Sequence, residues 1–125
     1  MRVTALLFTI SFTMTAIAVT SIAQRAFAEK PRPMAFAQCA SCHSTESGKN
    51  IYGPSLAGIS KRRAGTLPGY TYSPALTASK LQWDEKTLNR WLTSPKKTVP
   101  GTKMPFLGLQ DAKARQEVIT YLMSL

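Results

Sequence analysis

Cys39-Ala40-Ser41-Cys42-His43 holds both cysteines and the sole histidine of a 125-residue chain. Placed on a helix, Cys39, Cys42 and His43 stand at i, i+3 and i+4 and share one face. Three chemistries compete for such a constellation. A redox or structural Cys-x-x-Cys disulfide of the thioredoxin kind expects a βαβ context, and strand signals here are poor. A zinc site needs about four ligands, and no further Cys or His exists. Cys-x-x-Cys-His is the attachment pattern for c-type haem, and it uses all three residues. Each thiol adds to one haem vinyl group, giving two thioethers, and the adjacent imidazole reaches the iron from the proximal side.

The other axial position then needs a ligand from elsewhere, and a thioether is the usual high-potential choice. Met34 lies too near Cys39 to reach the far face, and Met123 falls in a last helical turn where gap-filling is its expected role. Met104 stands 61 residues after His43 in Gly101-Thr-Lys-Met104-Pro-Phe106, far enough along to come round to the opposite side. Met104 is the expected axial partner of His43.

Working outward, Pro33 suits the first turn of a short helix running to about Cys42. Residues 44–73 read as a loop rich in Gly and Pro. So long a loop in a small domain is expected only where it wraps a ligand. Ser73-Pro74 caps a short helix to Lys80. Asp84 caps a clearer one with Leu88, Trp91 and Leu92 at i, i+3 and i+4, stopped by Ser94-Pro95. A second loop carries Pro100-Gly101 and Pro105. Asp111 opens a final helix with Ala114, Val118, Tyr121, Leu122 and Leu125 along one stripe. The expected fold is all-α, with helices and long loops wrapped around one haem in place of a conventional core.

Before this domain, Arg2 is followed by an uncharged, largely apolar run up to Arg25 and then by Ala26-Phe27-Ala28. That order matches a secretory signal cut after Ala28, with a cut after Ala23 as the second choice. The competing reading is an uncleaved membrane anchor, since about 20 residues span a bilayer. Hydroxyl residues dilute the run, and only ten residues separate Ala28 from Cys39. The expected organisation is therefore a cleavable signal over 1–28 and one domain over 29–125, with no stable membrane span after cleavage. Ninety-seven residues exclude a doubly wound nucleotide fold or a (β/α)8 barrel. They also lie near the size where a cofactor or cross-link aids stability. Fourteen of the 16 Lys plus Arg fall in the domain, as do all 6 Asp plus Glu, leaving it at +8.

The sequence resembles a class I cytochrome c, especially the mitochondrial and bacterial c2-like branch, over nearly all of residues 33–125. The likeness is carried by Phe36, Cys39-x-x-Cys42-His43, Tyr52-Gly-Pro54-Ser-Leu56, Arg62, Tyr70-Thr-Tyr72, Trp83, Thr87-Leu88, Pro95-Lys-Lys97, Pro100-Gly-Thr-Lys-Met104 and Tyr121-Leu122. It implies that the first and last helices cross, with Phe36 meeting the stripe near Tyr121. It also implies that the Pro54 carbonyl accepts the His43 N–H. Arg62, Tyr72 and Trp83 would bond a buried haem propionate, Thr102 would support the Met104 loop, and Phe106 would shield the haem edge. Two positions depart from the family: Trp91 replaces a Tyr whose hydroxyl contacts the Met sulfur, and Leu76 replaces an Asn of the same polar network. As alternatives, Trp83 and Trp91 read equally well as plain core aromatics, and Tyr70 as a packing or solvent-facing residue.

The basic balance could suggest nucleic acid, but no recognition fold or base-stacking platform is evident. Lys96, Lys97 and Lys103 flank the expected distal loop, where charge would steer docking with acidic redox proteins. The bland alternative is solubility alone. The leading expectation is a monomeric periplasmic one-electron carrier, not an enzyme, its iron cycling between Fe(III) and Fe(II). Donors would be a bc1-type complex or a dehydrogenase, and acceptors a terminal oxidase or reductase. A ligand-binding or peroxidase-like haem protein with a labile sixth position is the alternative. A dedicated subunit of one dehydrogenase is a third reading.

Overall fold

The computed structural model describes residues 31–125; the expected signal segment, 1–28, lies outside the described residues. A 3₁₀ turn over Met34–Phe36 runs into α1, Ala37–Ala40. Then follow a 3₁₀ turn at Ile59–Lys61 and four helices: α2, Pro74–Ala78; α3, Glu85–Thr93; α4, Pro95–Thr98; and α5, Ala112–Met123. Among the described residues the only β contact is an isolated bridge between Arg63 and Gln82. The all-α expectation holds.

Helix starts are written in the sequence. Ser73 accepts the Leu76 N–H, Asp84 accepts the Thr87 N–H at 2.7 Å, and Asp111 accepts that of Ala114 at 2.7 Å. Each side-chain oxygen satisfies one amide that the first turn leaves without a partner. Pro95 ends α3 as expected, since it cannot continue the ladder. It then serves as the first residue of α4, a helix the sequence reading did not contain. At N1 the missing N–H costs nothing, and the fixed φ suits a new helix.

The first helix is shorter than the expected span to Cys42, yet the thiol motif keeps helical geometry. The N–H groups of Cys42 and His43 both bond the Cys39 carbonyl, at 3.0 and 2.9 Å. Phe36 is 1% exposed and meets Tyr121 edge-on with ring centroids 4.8 Å apart, which seats the N-terminal segment on α5. The buried face of α5 is broader than the expected stripe. Ile119 is fully buried beside Val118, Tyr121 and Leu122, whereas Ala114 and Leu125 are half-buried. The reason is that α5 packs on three neighbours, α3 and both 3₁₀ turns.

The long loop is ordered by its own polar groups. Ser55 donates its hydroxyl to the Glu46 carbonyl at 2.6 Å and its N–H to Asn50 Oδ1 at 2.9 Å. Asn50 in turn donates to the Gly69 carbonyl at 3.1 Å. Helices and loop thus form a shell, and at its centre lies a cavity of about 570 Å³. This volume falls within the roughly 300–1,000 Å³ of small-molecule and cofactor sites.

Candidate haem site

Cys39, Cys42 and His43 line the cavity from the end of α1, and Met104 lines it from the loop between α4 and α5. The His43 ring is fixed twice. Its Nδ1 stands 2.8 Å from the Pro54 carbonyl, so the ring donates there and its Nε2 is the nitrogen left to bind a metal. A β-carbon at Gly53 would lie 2.3 Å from His43 Cε1, so only glycine allows the backbone this close. Burial lowers the imidazole pKa, and the Pro54 bond opposes that shift in part. A neutral imidazole is the form a metal ligand requires.

Burial pushes the Cys39 thiol up to about 11, and Cys42 beside it adds to the rise. A catalytic or redox cysteine has the opposite shift, toward a stable thiolate. The site favours uncharged sulfur, as a thioether is. Among the described residues no group of three or more His, Cys, Asp or Glu could hold a bare metal ion.

Leu56, Ile59, Leu76, Leu88, Trp91 and Leu92 make much of the wall apolar. The two departures from the family pattern therefore both present apolar surface to the cavity. Trp83 and Trp91 are each 6% exposed and meet edge-on at 5.3 Å, so they pack as core aromatics while lining the site.

Arg62 and Tyr72 form the polar stretch of the wall. The Arg62 guanidinium donates to the Ala57 carbonyl at 3.1 Å and to that of Ser55, which ties it into the loop as well. Burial lowers its pKa and Tyr72 nearby counters the shift; burial raises that of Tyr72. The only ion pair among the described residues is Lys49–Glu46, so Arg62 has no carboxylate. A half-buried cation with spare N–H donors at a cavity wall suits a ligand that brings its own acid groups.

The distal loop places the remaining expected residues. Thr102 is buried, and its Oγ1 accepts the Met104 N–H at 3.4 Å. Phe106 is half-buried at the cavity, and Lys96 and Lys97 are exposed on α4. Lys103, expected only as a docking charge, is also tied into the fold. Its ammonium donates to the Thr71 carbonyl and stands 4.6 Å from the centre of the Tyr70 ring. Tyr70 also donates to the Tyr52 carbonyl at 3.0 Å and stacks edge-on with Tyr72. Sequence reading missed the close approach at Gly53, the Lys103 tether and the hydrogen bonds that Arg115 donates. None of them leaves a periodic signal, because each depends on how the folded backbone brings particular atoms together.

A helical shell with two thiols, an oriented imidazole and a thioether around one largely apolar cavity defines a c-type haem protein. The cytochrome c family model matches residues 28–125, and the chain belongs to that family. Cytochrome c2 iso-2 of Magnetospirillum fulvum is 50% identical over 93 residues, covering 74% of this chain and 97% of that protein. Cytochrome c of Euglena viridis is 41% identical over 98 residues, covering 78% of this chain and 96% of its own. Among solved structures, cytochrome cH from Methylobacterium extorquens superposes with a TM-score of 0.68 at 46% identity, covering 73% of this chain and 92% of that one. The chain is thus a c-type cytochrome that binds haem c covalently, and an electron carrier by family.

Proposed function

We propose that this cytochrome shuttles single electrons in the periplasm between a respiratory or dehydrogenase donor and a terminal oxidase or reductase. Cys39 and Cys42 would supply the two thioether bonds, and His43 and Met104 would hold the iron. The observation that carries this reading is the fixed His43 ring, 2.8 Å from the Pro54 carbonyl, on the same cavity that Met104 lines. When bound, haem supplies an iron that takes up and releases one electron.

The chain's own residues hold that centre still. Pro54 sets the tautomer of His43, and Gly53 lets the backbone close over the ring. Arg62, Tyr72 and Trp83 would hold the haem's acid groups, offering donors in place of water. Thr102 steadies the Met104 turn, Phe106 covers the edge of the site, and Trp91 packs the distal wall. With His43 and Met104 both holding the iron, little would rearrange on electron transfer, and no substrate would be chemically transformed. Lys96, Lys97 and Lys103 place positive charge by the distal loop, which suits brief docking with acidic proteins. Export follows from the expected cut after Ala28, and the mass of the haem-loaded exported protein reads cleavage and attachment together.

The test is the visible spectrum of the reduced protein with and without carbon monoxide at neutral pH. An unchanged spectrum is expected. Rapid formation of a carbon monoxide adduct would replace the carrier with a ligand-binding or peroxidase-like protein whose sixth position is labile.

A further inference from the structure

Met104 sits in a stretch, Pro100–Gln110, that contains no helix and spans from α4 to α5. Around Met104 it is held by the Met104 N–H on Thr102 Oγ1 at 3.4 Å and by Lys103, whose ammonium donates to the Thr71 carbonyl. The downstream end of the stretch has a separate hold. Nη1 of Arg115 on α5 donates to the carbonyls of Leu109 at 2.7 Å and Gln110 at 3.1 Å. Nε of the same guanidinium donates to Asn89 Oδ1 on α3 at 2.8 Å. One rigid planar group thus joins the loop, α5 and α3, a task its fork of donors suits and an ammonium does not.

Two further bonds lie at the same place. The Leu109 N–H meets the Leu92 carbonyl at 2.7 Å, and Gln110 donates to the Thr93 carbonyl at 3.1 Å. Gly108, with φ of +117°, lies so close that a β-carbon there would fall 2.0 Å from the Thr93 oxygen. Leu92 itself lines the cavity beside Trp91.

We propose that Arg115 is a positioning residue for Met104, clamping the loop to α3 so that the thioether stays on the iron; this rests on Met104 being the axial ligand. Arg115 lies outside the cavity lining and touches no part of the site itself. Its effect passes through the Leu109 and Gln110 carbonyls to a ligand five and six residues upstream.

The experiment uses the full haem-loaded protein with Arg115→Met, Arg115→Lys and, as a reference, Val118→Ala, which loosens buried α5 packing without removing a hydrogen bond to the loop. Each is followed by the ferric sulfur-to-iron charge-transfer band, by the rate of carbon monoxide binding to the ferrous protein, and by thermal midpoint. Arg115→Met is expected to weaken the band and speed carbon monoxide binding by roughly tenfold to a hundredfold, as loss of charge-assisted bonds to the loop implies. Arg115→Lys should fall between it and the parent, while Val118→Ala lowers the midpoint with band and rate near the parent's. If Arg115→Met and Val118→Ala change the rate alike at matched stability, Arg115 only stabilises the fold and the proposal is overturned. If the parent itself lacks the band, the Met104 assignment fails first and the clamp has nothing to position. Should Arg115→Met fail to mature, Arg115→Lys and Asn89→Ala decide, a parental rate in both overturning the proposal.

Discussion

A β-carbon at position 53 would stand within 2.9 Å of three ring atoms of His43, and the ring cannot yield without leaving the Pro54 carbonyl. Gly53→Ala is therefore expected to destabilise the folded protein by about 1–3 kcal/mol, the cost of overpacking a filled site. It should also alter the ferric spectrum; a denaturant titration and a visible scan check both. Lys80 presents the opposite case. It is the only described residue other than glycine with positive φ, at 53°, just beyond the last turn of α2. An L side chain is crowded there, so Lys80→Gly should stabilise by about 0.5–1 kcal/mol, strain relieved less the added freedom of the unfolded chain. An unchanged melting midpoint would remove the strain argument.

Helix α3 carries Leu88, Trp91 and Leu92 to the cavity wall, and its start depends on the Asp84 cap. The Thr87 N–H that Asp84 accepts, joined by the Thr87 hydroxyl, holds the carboxyl below its ordinary range. A carboxylate depressed in the folded state contributes stability that is present above its unfolded pKa and lost as pH falls through the folded one. The melting midpoint should thus drop on acidification below about pH 4. Asp84→Asn keeps a capping oxygen without the titration, and part of that acid dependence should vanish. Phe36→Ala removes the ring that meets Tyr121 edge-on and should cost about 3–5 kcal/mol, much of the stability of a domain this small. Caps, proline stops and the α3 face were legible in the sequence because each is a local pattern. The breadth of α5 was not, since the helix packs on neighbours from three parts of the chain and Ile119 is fully buried. That Cys39, Cys42, His43 and Met104 line one cavity agrees with a reading that began from the rare Cys-x-x-Cys-His spacing. Arg62, half absorbed by the Ser55 and Ala57 carbonyls, shows what such reading leaves out.

The molecule as a whole is a basic shell around an apolar centre, and its lysines do not all serve alike. Lys96 and Lys97 are exposed side chains on α4, free to meet a partner. Lys103 bridges the distal loop to the 70–72 segment through the Thr71 carbonyl and the Tyr70 ring. Neither partner is anionic, so the bridge fixes this charge at the cavity without neutralising it. Lys103 is therefore expected to act both electrostatically and mechanically, and Lys96 and Lys97 electrostatically only. Stopped-flow oxidation by ferricyanide, a small anion, separates the two roles. Lys96→Gln, Lys97→Gln and Lys103→Gln should each slow the reaction by about twofold to fourfold at low ionic strength and flatten its salt dependence. Only Lys103→Gln should also lower the thermal midpoint and admit carbon monoxide faster to the reduced protein, because only it unties the loop that carries Met104. Equal thermal behaviour of all three variants would reduce Lys103 to one more surface charge.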